Sequence, residues 1–505
     1  MCPVEKEYIS SDRWLLRSEQ EWHYLTGRFV FPTPDPEPTA YRSVFGPVFS
    51  HSALWYECNN ENMSKAITRI TCDPDPEHRL GPRQVATLRN PPRYMRRYFK
   101  KLSAHFALEL NDLAHDWDAD LLIYADLPHP KRKLRLQAAL EIMNNNSYHN
   151  RLNGTITLIK FVTTKFKKYE FAKIGKYPRS IADLTVVGSL VAGWLAEHVK
   201  TSLSKFKYSN QLDIHYSKSA TQSELSDVFS TIHSPESFYY AIHSDDGAGA
   251  VQLSSGPCWF KSDISTCDAS HTGELFKLLL SLLPPGYHRD FLAQAVAQLQ
   301  LPVRIADASG KPCFTLHTNQ NSVYNCTLFS GSILTTLINC VANTVIGLQL
   351  SRIPRNISPE AFKKAVPEAC ASVGYNVTFD ICDKIQQVDF LKHFPTSELH
   401  PALCRGTFWR SFGQCIGDIP VHRDDNGLKV QNRRVKASIF NSRVCVGFKH
   451  ISDDPITSAF RSKWVSSSLS LSTNYFHQQM SSSALEAHTV SYEDLYHRYG
   501  IAHHD

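Results

Sequence analysis

The order of apolar and polar positions predicts a mixed α+β chain. Phe238–Ile242 is an unbroken aromatic and aliphatic run, the pattern of a buried strand. Asp245, Asp246, Gly247 and Gly249 follow as turn formers, and Ala250–Leu253 returns as the paired strand. After a turn at Ser254–Pro257, the short apolar lead Cys258–Phe260 predicts a neighbouring strand ending at Asp263. The period changes after Ser330 and Gly331. Thr335, Asn339 and Asn343 recur every fourth residue among Leu, Ile and Val, which predicts a helix carrying one polar stripe.

Other elements follow from the same patterns. Asp183–Lys205 reads as a largely apolar helix, and residues 206–237 as a polar loop. The run from His271 to Gly286 is a helix stopped by Pro284 and Pro285, and Leu292–Gln300 is a second, short one. Residues 303–327 predict strands with a turn at 309–312, and Pro359–Ser372 an amphipathic helix capped by Ser358. Residues 1–90, rich in Pro and acidic groups, predict an irregular extension wrapped on the body.

Charge changes this picture locally rather than globally. Lys plus Arg exceed Asp plus Glu by only 54 to 48, so a polyanion site must arise from clustering. Three clusters exist: Arg93, Arg96, Arg97, Lys100 and Lys101 near helical spacing; Lys131, Arg132, Lys133 and Arg135 opening a helix; and a Lys-rich stretch from Lys160 to Arg179 with Glu170 as its one acidic residue. Each is open to a bland reading as a solvated face. The chain has 505 residues, 42% hydrophobic and 20% charged, which suits a globular body of several subdomains. Thirteen scattered cysteines without a CxxC pair, and no secretory leader, imply reduced thiols in the cytoplasm, and a structural zinc is not expected. No apolar run is long and clean enough for a transmembrane segment.

The candidate chemistry lies in the carboxylates. A hairpin tip carrying Asp245 and Asp246, beside a strand ending at Asp263, gathers three like charges at one sheet edge. Such a set is relieved by hard cations, and two ions about 4 Å apart clamp the oxygens of a phosphoryl transfer. A plain Asp-Asp-Gly turn is the competing reading, and Asp268 would then merely precede a helix cap at Ser270 or Thr272.

Taken together, these residues resemble the palm motifs of viral RNA-dependent RNA polymerases. Ser330, Gly331, Thr335 and Asn339 resemble motif B, Asp263 and Asp268 resemble motif A, and Ser244–Gly247 resembles the motif C hairpin, with Ser where many members have Gly. Here the order is C, A, B, which is similar to the permuted polymerases of birnaviruses and permutotetraviruses. The basic stretch closing at Arg179 resembles motif F.

The resemblance implies an α+β right-hand polymerase of fingers, palm and thumb, with an antiparallel palm sheet backed by helices. Its domains would be an N-terminal extension (1–90), fingers (91–235), a permuted palm with motifs in the order C, A, B, D, E and a fingers insertion at about 284–327 (236–395), and a thumb (396–505). It also implies two Mg²⁺ or Mn²⁺ ions on Asp245, Asp246 and Asp263, and a motif D general acid at Lys384. Nucleotide contacts would come from Lys168, Lys173, Arg179, Asp268, Ser330, Gly331, Thr335 and Asn339, with Asp268 and Asn339 reading the ribose. Val388–Phe394 would be the hairpin supporting the primer end. RNA template, nascent RNA, NTPs and other viral replication proteins are the implied partners, in the host cytoplasm or the virion. A two-metal nuclease and a non-catalytic viral RNA-binding protein are the rival readings.

Overall fold

The computed structural model describes strands at 13–15 and 23–26, residues 86–111, 117–127, 132–144, 162–166, 180–183, 186–286, parts of 289–299, then 303–306, 312–318, 328, 331–404 and 490–500. In chain order the strands are β1 (Arg13–Leu15), β2 (His23–Thr26), β3 (Val162–Phe166), β4 (Ser180–Asp183), β5 (Asp213–Tyr216), β6 (Phe238–His243), β7 (Asp246–Leu253), β8 (Gly256–Ile264), β9 (Val303–Ala306), β10 (Pro312–Thr318), β11 (Val377–Cys382), β12 (His393–Pro395) and β13 (Pro401–Leu403). The helices are α1 (Arg93–Asn111), α2 (Trp117–Asp126), α3 (Arg132–Asn144), α4 (Val186–Lys205), α5 (Gln222–His233), the single turn α6 (Cys267–Ser270), α7 (Gly273–Leu282), α8 (Thr335–Leu350), α9 (Pro359–Ala371) and α10 (Tyr492–Tyr499).

A five-stranded sheet in the order β11-β8-β7-β6-β5 forms the centre. Four of its strands are antiparallel, but β5 runs parallel to β6, so the expectation of a wholly antiparallel sheet needs correcting. The segment 206–237, read as loop, supplies both β5 and α5. Its Leu225, Val228, Phe229 and Ile232 recur at helical spacing and are buried, and Thr221 caps the start through Glu224 N. The predicted palm boundary at 236 therefore cuts through a sheet that begins at 213.

Packing explains why α8 lies on this sheet. Tyr240, Phe260 and Phe379, from β6, β8 and β11, form a chain of rings with centroids 5.8 and 4.9 Å apart. Above them Gly347 of α8 has no side chain, and a Cβ there would stand 2.8 Å from Tyr240 Cδ1 and 3.0 Å from Ile214 Cδ1. Glycine thus sets the helix against the strands at backbone distance, at the expense of helix propensity. On the opposite face Ala241, Ala248 and Ala250 meet α5, with Ile385, Val388 and Phe390 beside them.

A second sheet of six strands, β1-β2-β10-β9-β3-β4, is assembled from three distant parts of the chain. Its β2 pairs antiparallel with β10, Thr26 opposite Thr315. Arg13–Leu15 and His23–Thr26 are thus strands within a sheet, a correction to the irregular wrapping expected of 1–90. Among the described residues no helix is long and apolar enough to cross a membrane.

Candidate active site

The hairpin β6–β7 turns at Ser244 and Asp245, with His243 opposite Asp246. On its other side β7 pairs with β8, and the register sets Asp246 directly opposite Asp263. Directly opposed residues of antiparallel strands share a face, so the two carboxylates stand side by side. Asp245 is fixed to the same edge through its carbonyl, which accepts from Ile264 N at 3.3 Å.

The electrostatics follow from this crowding. Asp246 lies exposed at the start of β7. Its carboxyl is nevertheless pushed up to about 7, by desolvation first, then by Asp245, Asp263 and Asp389, with Lys392 opposing. Exposure argues against a large desolvation effect; the upward direction stands on the two neighbouring carboxylates, whose repulsion does not require burial. The donor set has the chemistry of a hard-cation site. No three His, Cys, Asp or Glu among the described residues yet close around one point. What fits a cation is the opposed pair Asp246 and Asp263, with Asp245 next to it.

Behind this edge lies a hydrogen-bond network on α8. Ser244 has a φ of 57°, in the left-handed region that favours Gly. Three contacts hold it there: its carbonyl accepts from Asn343 Nδ2 at 2.7 Å, its hydroxyl from Asn339 Nδ2 at 3.2 Å, and its N–H donates to Cys340 Sγ at 3.1 Å. Tyr240 donates its hydroxyl hydrogen to Asn343 Oδ1 at 2.8 Å, and Ser262 Oγ lies 2.8 Å from the same phenol oxygen. The polar stripe on α8 thus has its partners, and Ser244 is clasped to that helix through its carbonyl, hydroxyl and N–H.

Asn339 also donates from Nδ2 to Asp268 Oδ1 at 3.2 Å, joining the two residues expected at the ribose. Asp268 sits on α6, whose preceding Thr266 is also left-handed, at φ 51°. Thr272, not Ser270, precedes α7 as its cap residue, without a side-chain cap bond. Gly331 has a φ of 93°, ahead of α8, and Thr335 opens that helix.

Lys384 does not join this group. It is exposed beyond the end of β11 where Cys382 pairs with Trp259, while Asp263 pairs with Thr378 at the other end. Four residue steps along β8 separate those ends, about 13 Å at the usual strand rise. The position expected for a general acid is therefore at the wrong end of the strand, and Lys392 is instead the lysine whose charge reaches Asp246. Lys168, Lys173, Arg179 and Ser330 lie outside the described residues. Arg93, Arg96, Arg97 and Lys100 fall on exposed positions of α1.

Sequence reasoning missed His271, Tyr375 and Asp389. A lone His beside a helix start gives no signal, and neither does a Tyr after a Gly. Asp389 bonds Lys261 Nζ at 3.0 Å and lies 3.3 Å from Arg498, joining α10 to the central sheet.

No family model and no curated protein matches the sequence. Among solved structures, the chain is similar to the X-ray structure of the birnavirus VP1-VP3 complex, with a TM-score of 0.44 and 11% identity over 67% of this chain and 50% of that one. It is also similar to the structure of the RNA polymerase VP1 from Infectious Pancreatic Necrosis Virus, with a TM-score of 0.42 and 11% identity over 65% of this chain and 48% of that one. The chain spans about half the length of these birnavirus structures.

Proposed function

We propose that this chain is an RNA-directed RNA polymerase that extends RNA on an RNA template by nucleotidyl transfer from NTPs. The observation that carries the reading is the register that opposes Asp246 to Asp263, with the Asp268–Asn339 hydrogen bond beside it. Asp245, Asp246 and Asp263 are assigned to hold two divalent cations, Mg²⁺ or Mn²⁺, which when bound neutralise charge developing on the phosphate oxygens. Asp268 accepts the 2′-hydroxyl of the incoming ribose, and Asn339 keeps that carboxylate oriented. Gly331 and Ser330 form the loop near template and incoming base, Thr335 follows them, and Lys168, Lys173 and Arg179 meet the triphosphate. Lys384 is left out of this assignment because of its place on the sheet. Template and nascent RNA, and other viral replication proteins, are the proposed partners.

The test is template-dependent incorporation of labelled NTPs by the wild type and by Asp263→Asn. Incorporation falls by about 100-fold or more in the variant, the scale of losing a group that organises transition-state charge. Equal incorporation by both removes the assignment. Shortening of labelled RNA by the wild type points to a nuclease, which has no use for a ribose-reading pair.

A further inference from the structure

Asn339 is held by a residue that the polymerase reading leaves unused. His271 is 3% exposed. Its Nε2 lies 2.8 Å from Asn339 Oδ1, and its Nδ1 3.1 Å from the hydroxyl of Tyr375, a fully buried residue. Asn339 Nδ2 in turn lies 3.2 Å from both Asp268 Oδ1 and Ser244 Oγ.

Donor and acceptor counting fixes the protons. A carboxylate only accepts, so the amide nitrogen of Asn339 faces Asp268 and its oxygen faces the imidazole. Nε2 of His271 must then carry the hydrogen, and Nδ1 accepts from Tyr375. The edge-on rings of Phe276 and Tyr375, with centroids 6.3 and 5.9 Å away, keep the imidazole plane in place. Burial pushes this imidazole down to about 4, against the Asn339 bond, so the neutral tautomer persists at neutral pH. Cys267 Sγ, 3.7 Å from Nε2, is a weaker neighbour on the same side. Turning the Asn339 amide over would set its oxygen against the Asp268 carboxylate and its NH₂ against the imidazole N–H.

We infer that His271 is a positioning residue for sugar selection: its Nε2–H, set by Tyr375, fixes the Asn339 amide so that Asp268 is presented to the 2′-hydroxyl of the incoming nucleotide. This rests on the polymerase reading. His271 does not meet the nucleotide itself, and its effect passes through Asn339.

The experiment measures kcat/KM for an NTP and for the matching 2′-deoxy-NTP on one template. His271→Phe keeps a ring of similar size and removes both hydrogen bonds; the NTP preference falls by about tenfold, the scale of a buried acceptor left without its donor. His271→Gln restores a donor towards Asn339 and brings the preference back to within about threefold of wild type. Tyr375→Phe removes only the hydroxyl that selects the tautomer and lowers the preference by about two- to threefold, which decides the matter if His271→Phe does not fold. An unchanged preference in Tyr375→Phe and in whichever His271 variant lacks the donor overturns the inference. So does an equal loss for both sugars, the mark of a merely structural role. A wild-type protein that incorporates neither nucleotide removes the polymerase reading and this inference with it.

Discussion

The two ends of the network around Ser244 are built on opposite terms. At the sheet edge Asp245, Asp246 and Asp263 crowd together, and repulsion raises the Asp246 carboxyl. One helix away, the amide nitrogen and oxygen of both Asn339 and Asn343 are engaged at 2.7 to 3.2 Å. Buried polar groups that are hydrogen-bonded rigidify a core, whereas like charges set side by side raise one another's carboxyls and are relieved by positive charge. The difference separates a polar cluster that the fold satisfies from within from one that it leaves under mutual repulsion.

The sharpest way to break that comparison is to remove charge from the edge. Asp245→Ala, assayed for NTP incorporation beside its melting temperature, loses about 100-fold or more in rate while unfolding no earlier than wild type. A rate that survives places the edge outside the chemistry. Next in size is the helix side. Asn343→Ala leaves the Ser244 carbonyl without its donor and the Tyr240 hydroxyl with Ser262 alone, and lowers stability by about 2 to 3 kcal/mol in urea unfolding. Gly347→Ala tests the packing beneath: the added methyl meets Tyr240 and Ile214, and costs about 1 to 3 kcal/mol in the same measurement.

The smallest effect concerns pH. Because the folded Asp246 carboxyl is raised above 3.8 to about 7, the folded state binds more protons than the unfolded chain between those values. Stability of the cation-free protein therefore declines as pH rises from about 4 to about 7 and levels off above, by about 1 kcal/mol once solvent screening at an exposed carboxylate is allowed for. Asp246→Asn flattens that slope. Differential scanning calorimetry of both proteins across this range checks it, and an equal slope in the variant assigns the pH dependence elsewhere.

Much of the central sheet was legible because its strands carry unbroken apolar runs bounded by turn formers, and the polar stripe of α8 announced partners for Asn339 and Asn343. Helix α9 begins and ends within a residue of the boundaries implied by Ser358 and its amphipathic period. The losses have physical causes. Segment 206–237 is polar enough to read as loop because α5 buries only one face and β5 alternates. Lys384 is expected from a resemblance to motif D, and β11 carries its two ends to opposite ends of the sheet. His271 was invisible because its partners, Asn339 and Tyr375, lie 68 and 104 residues away. Proximity of that kind exists only after folding.

The left-handed serine at the tip has a consequence in time. Its carbonyl is secured by an amide that the ribosome delivers 99 residues later. The two strands flanking it emerge and can pair early, yet the bend between them has no lock until residues 335–350 have coiled and settled over the sheet. The bend where the acidic groups gather is thus locked only after both of its strands have been made, and a nascent chain released before that helix carries the acidic residues on an unsecured turn.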